Sequence, residues 1–343
     1  MSSEKFSVYV ERDVRIEEVG YTLGLEPILE HPDIEVTFLE SRDDKRMPPG
    51  SLAGADAFVS VSYRLDERSL EGADDLKVVT RAGAGYEVLD LEALSDRGIF
   101  ACHAPQGPTE SVAQATLAMF VACAHNLRKY DNIVRDRGFE DRMRNLGFEL
   151  GSATIGIVGM GLIGSRVVEV VEPFDPEVIV HDPYLDPERA DELGVRLVEF
   201  DDLLETADIV SLHVPLTPET ETMFGEEEFR RMQDHAHLVN TTRGGIYEDA
   251  VLARAVREGW IGGAAIDVFE DEPNVLGNPL LELEDQLVTP HIAGLTKQST
   301  DRIGSLMCES ILNVMNDDLP INVLNPDATD QEIPAENLSP SFQ

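Results

Sequence analysis

The chain has 343 residues, 42% of them hydrophobic and 27% charged, which predicts a globular protein of about two domains at ~150 residues each. Its 66 acidic and 27 basic residues give a formal net charge of −39, and such a field disfavours binding to nucleic acid or to anionic lipid. We expect neither a membrane span nor a secretory signal, because the sequence has no long apolar run and begins without a basic segment followed by an apolar one. The three scattered cysteines exclude a disulfide framework and favour a reducing, cytoplasmic compartment.

The make-up of the charge predicts an adaptation to salt. The 27 basic residues comprise 5 lysines and 22 arginines, and the hydrophobic content is too high for an acidic disordered protein. A folded core surrounded by carboxylates indicates a cytosol of molar salt, where the Debye length is about 3 Å and solvent cations screen the self-repulsion. An ordinary acidic protein of a low-salt cell remains the alternative.

Short apolar segments alternate with helix-compatible segments in the first third of the chain. Helical spacing is found over about residues 14–31, and a long helix is predicted over about residues 109–135, just after Pro108. Strands are predicted at Phe6–Val10, Ile34–Leu39, Ala57–Val61 and Leu76–Thr80. Such alternation is typical of βαβ units and a parallel sheet.

A second alternating series follows the long helix. A last helix is predicted over about residues 296–316, and the polar, proline-containing residues 327–343 predict little regular structure. Strands are predicted at Thr154–Val158, Val178–His181, Ile209–His213, Leu238–Thr241, Gly263–Ile266 and Leu287–Thr289. Two such series joined by one long helix predict an α/β protein with two doubly wound, parallel-sheet domains.

The segment Gly-Met-Gly-Leu-Ile-Gly at residues 159–164 matches the G-x-G-x-x-G pattern of dinucleotide-binding turns. An apolar strand precedes it and a helical pattern follows it, as that interpretation requires. The first glycine permits a tight turn, the second lets the backbone approach a pyrophosphate, and the third lets helix and strand pack closely. A strand–helix turn without a ligand is the alternative. The predicted cofactor contacts in this turn are Gly159, Gly161, Leu162, Ile163 and Gly164.

Asp182 ends the next apolar run, 18 residues past Gly164. A carboxylate at this position hydrogen-bonds the ribose 2′-hydroxyl of NAD and repels the 2′-phosphate of NADP. We therefore expect NAD(H) to be preferred. Molar salt weakens the repulsion, so NADP(H) stays possible. Asp182 could instead cap the turn before Pro183.

Four motifs in the second half of the chain, taken in order, are characteristic of one enzyme family. They are Leu212-His213-Val214-Pro215-Leu216-Thr217-Pro218-Glu219-Thr220, Asn240-Thr241-Thr242-Arg243-Gly244-Gly245, Ile266-Asp267-Val268-Phe269-Glu270-Asp271-Glu272-Pro273 and Thr289-Pro290-His291-Ile292-Ala293-Gly294. With these motifs, about residues 50–325 resemble the D-isomer-specific 2-hydroxyacid dehydrogenases.

The resemblance implies a split substrate domain with the cofactor domain inserted between its two parts. We expect a flavodoxin-like substrate domain at residues 1–104 plus 303–330 and a Rossmann dinucleotide-binding domain at residues 105–302. Residues 331–343 are expected to form a flexible tail. The family also implies a homodimer, formed through the long helix and residues 136–150.

The resemblance implies Arg243, Glu272 and His291 as the catalytic set. The reduction of a 2-keto acid requires groups of these types. A guanidinium binds the carboxylate of a 2-keto acid and polarises its carbonyl. Reduction at C2 creates an alkoxide that needs a proton, which a protonated histidine supplies. A neighbouring carboxylate stabilises the imidazolium and fixes its tautomer. Each residue taken alone could have a structural role instead. Arg243 could form a surface salt bridge, Glu272 could be a solvated acid, and His291 could be a hydrogen-bonded core histidine.

Other site residues follow from the resemblance. Asp267 is expected at the nicotinamide carboxamide, and His213 in the cofactor cleft rather than as a second base. The other cofactor contacts implied are Pro215, Thr220 and Thr241. On the substrate side, the turn after the Leu76–Thr80 strand implies Ala84 and Gly85, with Arg243, as binders of the substrate carboxylate. Glu87-Val88 departs from the Asp-Asn that the family commonly has there. No metal triad can be assembled at familiar spacing.

The sequence thus predicts a cytoplasmic D-2-hydroxyacid dehydrogenase that reduces small 2-keto acids with NADH. A phosphoglycerate or hydroxypyruvate dehydrogenase of the same family is an alternative, but phosphate needs extra bases, and Arg64 and Arg81 are the obvious candidates. A formate dehydrogenase of this fold has glutamine where Glu272 stands. A dinucleotide-sensing corepressor is the alternative from a different class of protein.

Overall fold

The computed structural model describes residues 5–12, 23–40, 42, 44–139, 143 and 146–340. The chain forms two compact units, one comprising Met1–Thr109 with Thr296–Gln343 and the other Glu110–Leu295. These limits lie within about seven residues of the predicted domain limits at 104/105 and 302/303. The assignment of those limits to functional domains stays a prediction.

The first unit is built on a five-stranded parallel sheet with the order β2-β1-β3-β4-β5. The strands are β1 Phe6–Arg12, β2 Ile34–Glu40, β3 Ala57–Ser60, β4 Val78–Arg81 and β5 Phe100–His103. Successive side chains alternate between two apolar clusters, with Phe58 and Val79 in one and Val59 and Val78 in the other. The sheet is therefore buried on both faces, as parallel sheets require.

Short helices and one long helix cover this sheet. They are α1 Glu26–Leu29, α2 Leu91–Ser95 and α10 Lys297–Met315, with 3-10 turns at Glu67–Leu70, Pro326–Ala328 and Ala335–Asn337. Helix α10 begins at the N-cap Thr296, whose hydroxyl accepts the Ser299 N–H at 3.2 Å. Its residues Met307, Cys308 and Ile311 join the cluster that contains Val59.

The second unit contains a seven-stranded parallel sheet with the order β12-β11-β10-β9-β6-β7-β8. The strands are β6 Thr154–Val158, β7 Glu177–His181, β8 Arg196–Leu197, β9 Ile209–Leu212, β10 His237–Asn240, β11 Gly263–Ile266 and β12 Leu287–Val288. The chain order reverses between β6 and β9, and ligands of such sheets bind at the carboxyl ends of the strands beside this switch point.

Helices cover both faces of the second sheet. They are α3 Gln106–Ala124, which begins in the first unit, α4 Leu127–Arg137, α5 Leu162–Val171, α6 Pro187–Glu192, α7 Phe200–Thr206, α8 Glu226–Arg231 and α9 Asp249–Arg257. Single 3-10 turns lie at Leu150–Ser152, Glu172–Phe174 and Pro279–Glu282. Two apolar clusters fill the space on either side of the strands. The predicted fold class, two doubly wound parallel-sheet α/β domains, is confirmed.

Three details differ from the sequence-based predictions. The helix predicted over residues 109–135 is two helices, because the backbone of Asn126 is left-handed, at φ 51°, and interrupts the hydrogen-bond ladder. Strands β5 and β8 were not predicted, because neither contains a β-branched residue, which every predicted strand has. Of the helix predicted over 14–31, residues 14–22 lie outside the described residues, and Glu26–Leu29 is helical.

A flexible tail was expected for residues 331–343, but the described part of it, residues 331–340, packs against the rest of the first unit; residues 341–343 lie outside the described residues. Val323 forms a bridge with Leu338, and the Ser339 N–H donates to the Val323 carbonyl at 2.9 Å. Ser339 itself is fully buried. The polar composition predicted that this segment is solvated. Instead, polar groups of Asn337 and Ser339 form hydrogen bonds with backbone groups of residues 319–323. Among the described residues, no helix is both long and apolar enough to cross a membrane.

Candidate active site

The glycine-rich turn joins β6 to helix α5 at the switch point of the second sheet. Gly159 has a φ of 93°, and a Cβ there would lie 2.7 Å from the His213 carbonyl oxygen. A Cβ on Gly164 would lie 2.2 Å from the Gly159 carbonyl oxygen, so this glycine permits the close approach of helix and turn. Gly161, the N-cap of α5, faces open space. A phosphate fits the positive end of this helix.

Asp182 lies at the carboxyl end of β7, beside the glycine-rich turn. Its Oδ2 accepts the Met160 N–H at 2.7 Å, and its Oδ1 accepts the Tyr184 N–H at 2.9 Å. The carboxylate therefore caps its own turn and also ties that turn to the glycine-rich segment. Because each carboxylate oxygen has two lone pairs, each can still accept one hydrogen bond from a ribose hydroxyl. The two interpretations of Asp182 are thus compatible.

The loop after β9 faces the same end of the sheet. The Nε2 of His213 is 2.9 Å from the Ser211 hydroxyl, and its Nδ1 is a buried atom with no hydrogen-bond partner. Burial lowers the pKa of His213 to about 3, so the imidazole stays neutral and is too weak a base for proton transfer near neutrality. An orphaned buried nitrogen in this position fits a missing polar ligand.

The remaining predicted cofactor residues have structural partners of their own. The Thr220 hydroxyl donates to the Pro215 carbonyl at 2.6 Å and accepts the Thr217 N–H at 2.8 Å, which closes the loop after β9. The Thr241 and Thr116 hydroxyls are 3.1 Å apart and buried. Leu162 and Ile163 form the first turn of α5. The residues around the glycine-rich turn thus fit a dinucleotide at this edge of the sheet.

Asp267 is a fully buried carboxylate at the end of β11, and it fixes the loop that carries His291. Its Oδ1 accepts the Thr289 hydroxyl at 2.6 Å and the Ile292 N–H at 2.8 Å, while its Oδ2 accepts the Ala293 N–H at 2.8 Å. Its backbone carbonyl accepts the His291 N–H at 2.8 Å. Neither Thr289 nor these backbone donors were singled out in the sequence, where no spacing pattern indicates them.

The loop that Asp267 fixes, residues 289–293, contains a residue with a positive φ. His291 has a φ of 53°, in the left-handed region that disfavours a side chain with a Cβ. Such a conformation costs roughly 1–3 kcal/mol and is typical of functional sites. The four hydrogen bonds of Asp267 offset this cost, since those made to a charged group contribute about 1.5–3 kcal/mol each.

His291 and Glu272 are paired. The His291 Nδ1 lies 2.7 Å from the Glu272 Oε2, and the Glu272 Oε1 accepts the Phe269 N–H at 2.9 Å. An ionised carboxylate only accepts hydrogen bonds, so Nδ1 carries the proton and donates it. The Nε2 of His291 is then the nitrogen that can exchange a proton with a substrate. The His291 side chain is 48% exposed and the Glu272 side chain 31%.

Two of the three neighbouring acids, Glu270 and Glu272, have different partners. Glu270 accepts the Asp249 N–H at 2.6 Å, and its own N–H donates to the Asp249 carboxylate at 3.2 Å. Burial raises the pKa of both Asp249 and Glu270. Repulsion from Asp271 and Glu272 adds to the shift of Asp249, and repulsion from Asp249 adds to that of Glu270. Glu272 alone of the three makes a hydrogen bond to His291, as the motif predicted.

The charge on Glu272 is stabilised by its surroundings. Burial works against ionisation, but the hydrogen bond and charge of His291, the Phe269 N–H and the charge of Arg243 outweigh it, so the pKa of Glu272 is lowered. Arg243 donates from Nη1 to the Thr242 carbonyl at 2.7 Å. In the second unit, the guanidinium of Arg243 therefore interacts electrostatically with the His291–Glu272 pair.

An apolar cavity of about 280 Å³ lies beside the pair. Its lining includes Phe269, Val275, Leu281 and Val288 together with Glu272 and His291. Such a lining lowers the local dielectric on one side of the hydrogen bond and strengthens it. Sequence analysis had not indicated this cavity.

Ala84 and Gly85, the residues expected to bind the substrate carboxylate, lie in the first unit. They belong to a turn that follows β4, and the Gly83 φ of 92° is the backbone conformation that allows it. The turn runs alongside residues 60–65, since the Ala82 N–H donates to the Ser60 carbonyl at 2.9 Å and Leu65 forms a bridge with Leu89. Arg64 is exposed and Arg81 bonds the neighbouring Ala82 carbonyl.

The profile of the D-isomer specific 2-hydroxyacid dehydrogenase NAD binding domain matches residues 117–293. A glyoxylate reductase of Korarchaeum cryptofilum is 35% identical over 306 residues, which span 88% of this chain and 92% of that protein. A D-3-phosphoglycerate dehydrogenase of Archaeoglobus fulgidus is 37% identical over 263 residues, 76% of this chain. This chain spans only half the length of that second relative.

Among solved structures, a D-lactate dehydrogenase of Aquifex aeolicus, crystallised with NAD and lactic acid, has the same fold. The TM-score is 0.79 at 29% sequence identity, and the match covers 91% of this chain and 96% of that one. The match therefore includes both sheets.

Proposed function

This chain belongs to the D-isomer specific 2-hydroxyacid dehydrogenase family, and we propose that it catalyses the reversible, NADH-dependent reduction of 2-keto carboxylic acids to D-2-hydroxy acids. The observation that carries the proposal is the 2.7 Å contact between His291 Nδ1 and Glu272 Oε2 beside Arg243. A fixed Nδ1–H leaves Nε2 to give a proton to an alkoxide and to take it back in the reverse direction.

Each catalytic residue has one role in the proposal. Arg243 binds the substrate carboxylate and polarises the neighbouring carbonyl with its guanidinium group. Protonated His291 gives its Nε2 proton to the oxygen at C2 during reduction, and neutral His291 accepts it during oxidation. Glu272 orients the imidazole and stabilises its charged form. Bound NADH would supply the hydride.

For the cofactor, the family domain supports NAD(H), and we propose that NADP(H) is used less well. Gly159, Gly161, Leu162, Ile163 and Gly164 would hold the pyrophosphate, and Asp182 the ribose hydroxyls. His213, Pro215, Thr220, Thr241 and Asp267 would line the nicotinamide half. The open space at Gly161 and the unpartnered Nδ1 of His213 support this assignment.

On the substrate side, Ala84 and Gly85 would present backbone N–H groups to the carboxylate. We propose small 2-keto acids such as glyoxylate and pyruvate, in keeping with a relative named glyoxylate reductase that matches over most of its length. Phosphohydroxypyruvate is the second candidate, because other relatives are named D-3-phosphoglycerate dehydrogenase. A corepressor-like sensor of dinucleotide would bind NADH without turning over any of these acids.

We also propose a homodimer formed through α3, α4 and the segment up to residue 150. Several large apolar side chains of this region are exposed, namely Leu127, Val134, Phe139, Met143 and Leu146. Apolar exposure concentrated in one stretch of chain is typical of an interaction surface. Sedimentation velocity measures the state directly, and a monomer at micromolar concentration would contradict the proposal.

The acidic composition supports a cytoplasm of high salt as the working environment. Many basic side chains are already paired at the surface, as in Arg230 with Glu226 at 2.9 Å and Arg196 with Glu177 at 2.7 Å. With 66 acids against 27 bases, most carboxylates must be compensated by solvent cations.

Turnover tests the function first. Purified protein with NADH and a panel of glyoxylate, pyruvate, hydroxypyruvate, phosphohydroxypyruvate and larger 2-keto acids is expected to oxidise NADH and to give D products.

His291→Gln is expected to lower the rate of this reduction about 10²–10⁴-fold, the usual contribution of a general acid. The control is His235→Gln, because His235 forms a similar pair with Asp208 at 2.6 Å outside the site. Equal losses in both variants would contradict the assignment.

Glu272→Gln is expected to preserve the fold and to change the pH profile of keto-acid reduction. Reduction needs the imidazolium and so fades as the pH rises. Without the carboxylate the imidazolium loses its stabilising charge, and the midpoint of that decline is expected to move to lower pH. The measurement is kcat/KM from pH 5 to pH 10 with a saturating salt concentration. An unchanged midpoint would exclude Glu272 as the partner of the proton donor.

Asp182→Ala is expected to change the choice of cofactor. Removal of the carboxylate deletes a bond to the ribose of NADH and a repulsion toward the 2′-phosphate of NADPH, so the NADPH/NADH ratio of kcat/KM is expected to rise at least tenfold. Asp186→Ala is the matched control, since Asp186 caps helix α6 a few residues away. The same ratio in wild type and variant would show that Asp182 does not contact the ribose.

A salt series tests the proposed environment. At about 0.01 M salt the Debye length is about 30 Å, so surface carboxylates repel one another and also repel the anionic cofactor. We expect the melting temperature and the NADH affinity to rise together between about 0.1 and 2 M KCl. Sucrose does not screen charge, so we expect the NADH affinity to change little with sucrose. Full activity and an unshifted melting temperature at 0.1 M KCl would be evidence against a salt adaptation.

A further inference from the structure

The turn that carries Ala84 and Gly85 is held by the residues that end β5. The Ala104 N–H donates to the Gly83 carbonyl at 2.9 Å, and the His103 Nδ1 lies 2.8 Å from the Ala84 carbonyl oxygen. His103 is only 4% exposed. The Tyr86 ring of the same turn packs edge-on against the imidazole, at 5.6 Å between centroids. One buried histidine therefore contacts the turn at two points.

The second nitrogen of His103 is bound by the C-terminal segment. Its Nε2 lies 2.6 Å from the Ser339 hydroxyl, which is fully buried. A backbone carbonyl only accepts, so Nδ1 carries the proton and donates it to Ala84. The Ser339 hydroxyl then donates to the lone pair of Nε2, and this bond fixes the tautomer that the turn requires. Burial lowers the pKa of His103 to about 4, which keeps the imidazole neutral in this role.

Ser339 is in turn held in place by backbone pairing. Its N–H donates to the Val323 carbonyl at 2.9 Å, and the Val323 N–H donates to the Asn337 carbonyl at 2.8 Å. The Asn337 side chain donates to the Pro320 carbonyl at 2.9 Å. Val323 also forms an antiparallel bridge with Cys102, next to His103. Residues 337–339 thus reach the histidine through a continuous set of hydrogen bonds.

We propose that His103 and Ser339 are positioning residues that couple the C-terminal segment to the substrate-carboxylate turn. The imidazole holds the Ala84 carbonyl and thereby orients the N–H groups of the turn, and the serine holds the imidazole. The proposal rests on the proposed function for the role of Ala84 and Gly85. It gives the last residues of the chain a part in substrate affinity, which their polar sequence did not indicate.

Ser339→Ala in the 343-residue chain removes the donor to Nε2, and we expect both sheets to keep their fold. We expect the KM for the keto acid to rise about 3- to 10-fold, the effect of one lost hydrogen bond, with kcat nearly unchanged. The Kd for NADH is expected to stay constant, because the proposed NADH residues all lie in the other unit. Ser339→Thr retains a hydroxyl and is expected to restore the KM.

The matched control is Ser305→Ala, since Ser305 also donates a hydroxyl hydrogen bond, to the Asp301 carbonyl at 2.8 Å, on the exposed side of α10. A second readout does not depend on turnover. Hydrogen–deuterium exchange of peptides covering residues 82–88 is expected to accelerate in Ser339→Ala, to recover in Ser339→Thr, and to stay at the wild-type rate in Ser305→Ala. Peptides covering residues 155–166 are expected to exchange equally in all variants.

Unchanged exchange at residues 82–88 in Ser339→Ala would overturn the coupling, as would a uniform acceleration across the chain. Faster exchange at residues 82–88 with an unchanged KM would overturn the link to substrate while leaving the catalytic set untouched. If the wild type reduces no 2-keto acid, the proposed function fails, and the exchange data still decide whether Ser339 holds the turn.

Discussion

The site in the second unit depends on the buried carboxylate of Asp267. This one group accepts three hydrogen bonds with its side chain and a fourth with its carbonyl, all from residues 289–293. It thereby holds His291 in a left-handed conformation that the chain would otherwise avoid. In that conformation the imidazole meets Glu272. The proposed acid–base chemistry therefore depends on hydrogen bonds that fix the loop of the proton donor.

The same arrangement reconciles two demands on Asp267. The family resemblance assigns it to the nicotinamide carboxamide, and the structure gives most of its hydrogen-bonding capacity to the histidine loop. Three of about four lone-pair sites are used, and one on Oδ2 is left. A single carboxylate can therefore fix the proton donor and also accept one hydrogen bond from a bound cofactor, which would place both reacting partners relative to one buried group.

Several features of this fold follow directly from the sequence. Six of the seven strands of the second sheet were predictable because each is a short apolar run before a turn, and the G-x-G-x-x-G segment lies where β6 meets α5. The pairing of Glu272 rather than Glu270 or Asp271 came from the motif before Pro273. By contrast, the break at Asn126 and strands β5 and β8 depend on single residues or on tertiary pairing, and no periodic signal marks them. The hydrogen bonds of Ser339 with His103 and Val323 join residues far apart in the sequence, which local patterns do not encode.

In the proposed site, Nδ1 of His291 donates to Glu272 and Nε2 exchanges the catalytic proton. Nitrogen-15 NMR of histidine-labelled protein observes both nitrogens, with the His291 resonances assigned by their loss in His291→Gln. We expect Nδ1 of His291 to stay protonated across the whole pH range, with a strongly deshielded proton, while only Nε2 exchanges its proton with solvent as the pH changes. Titration at Nδ1, or an Nδ1 proton unaffected by Glu272→Gln, would contradict this assignment.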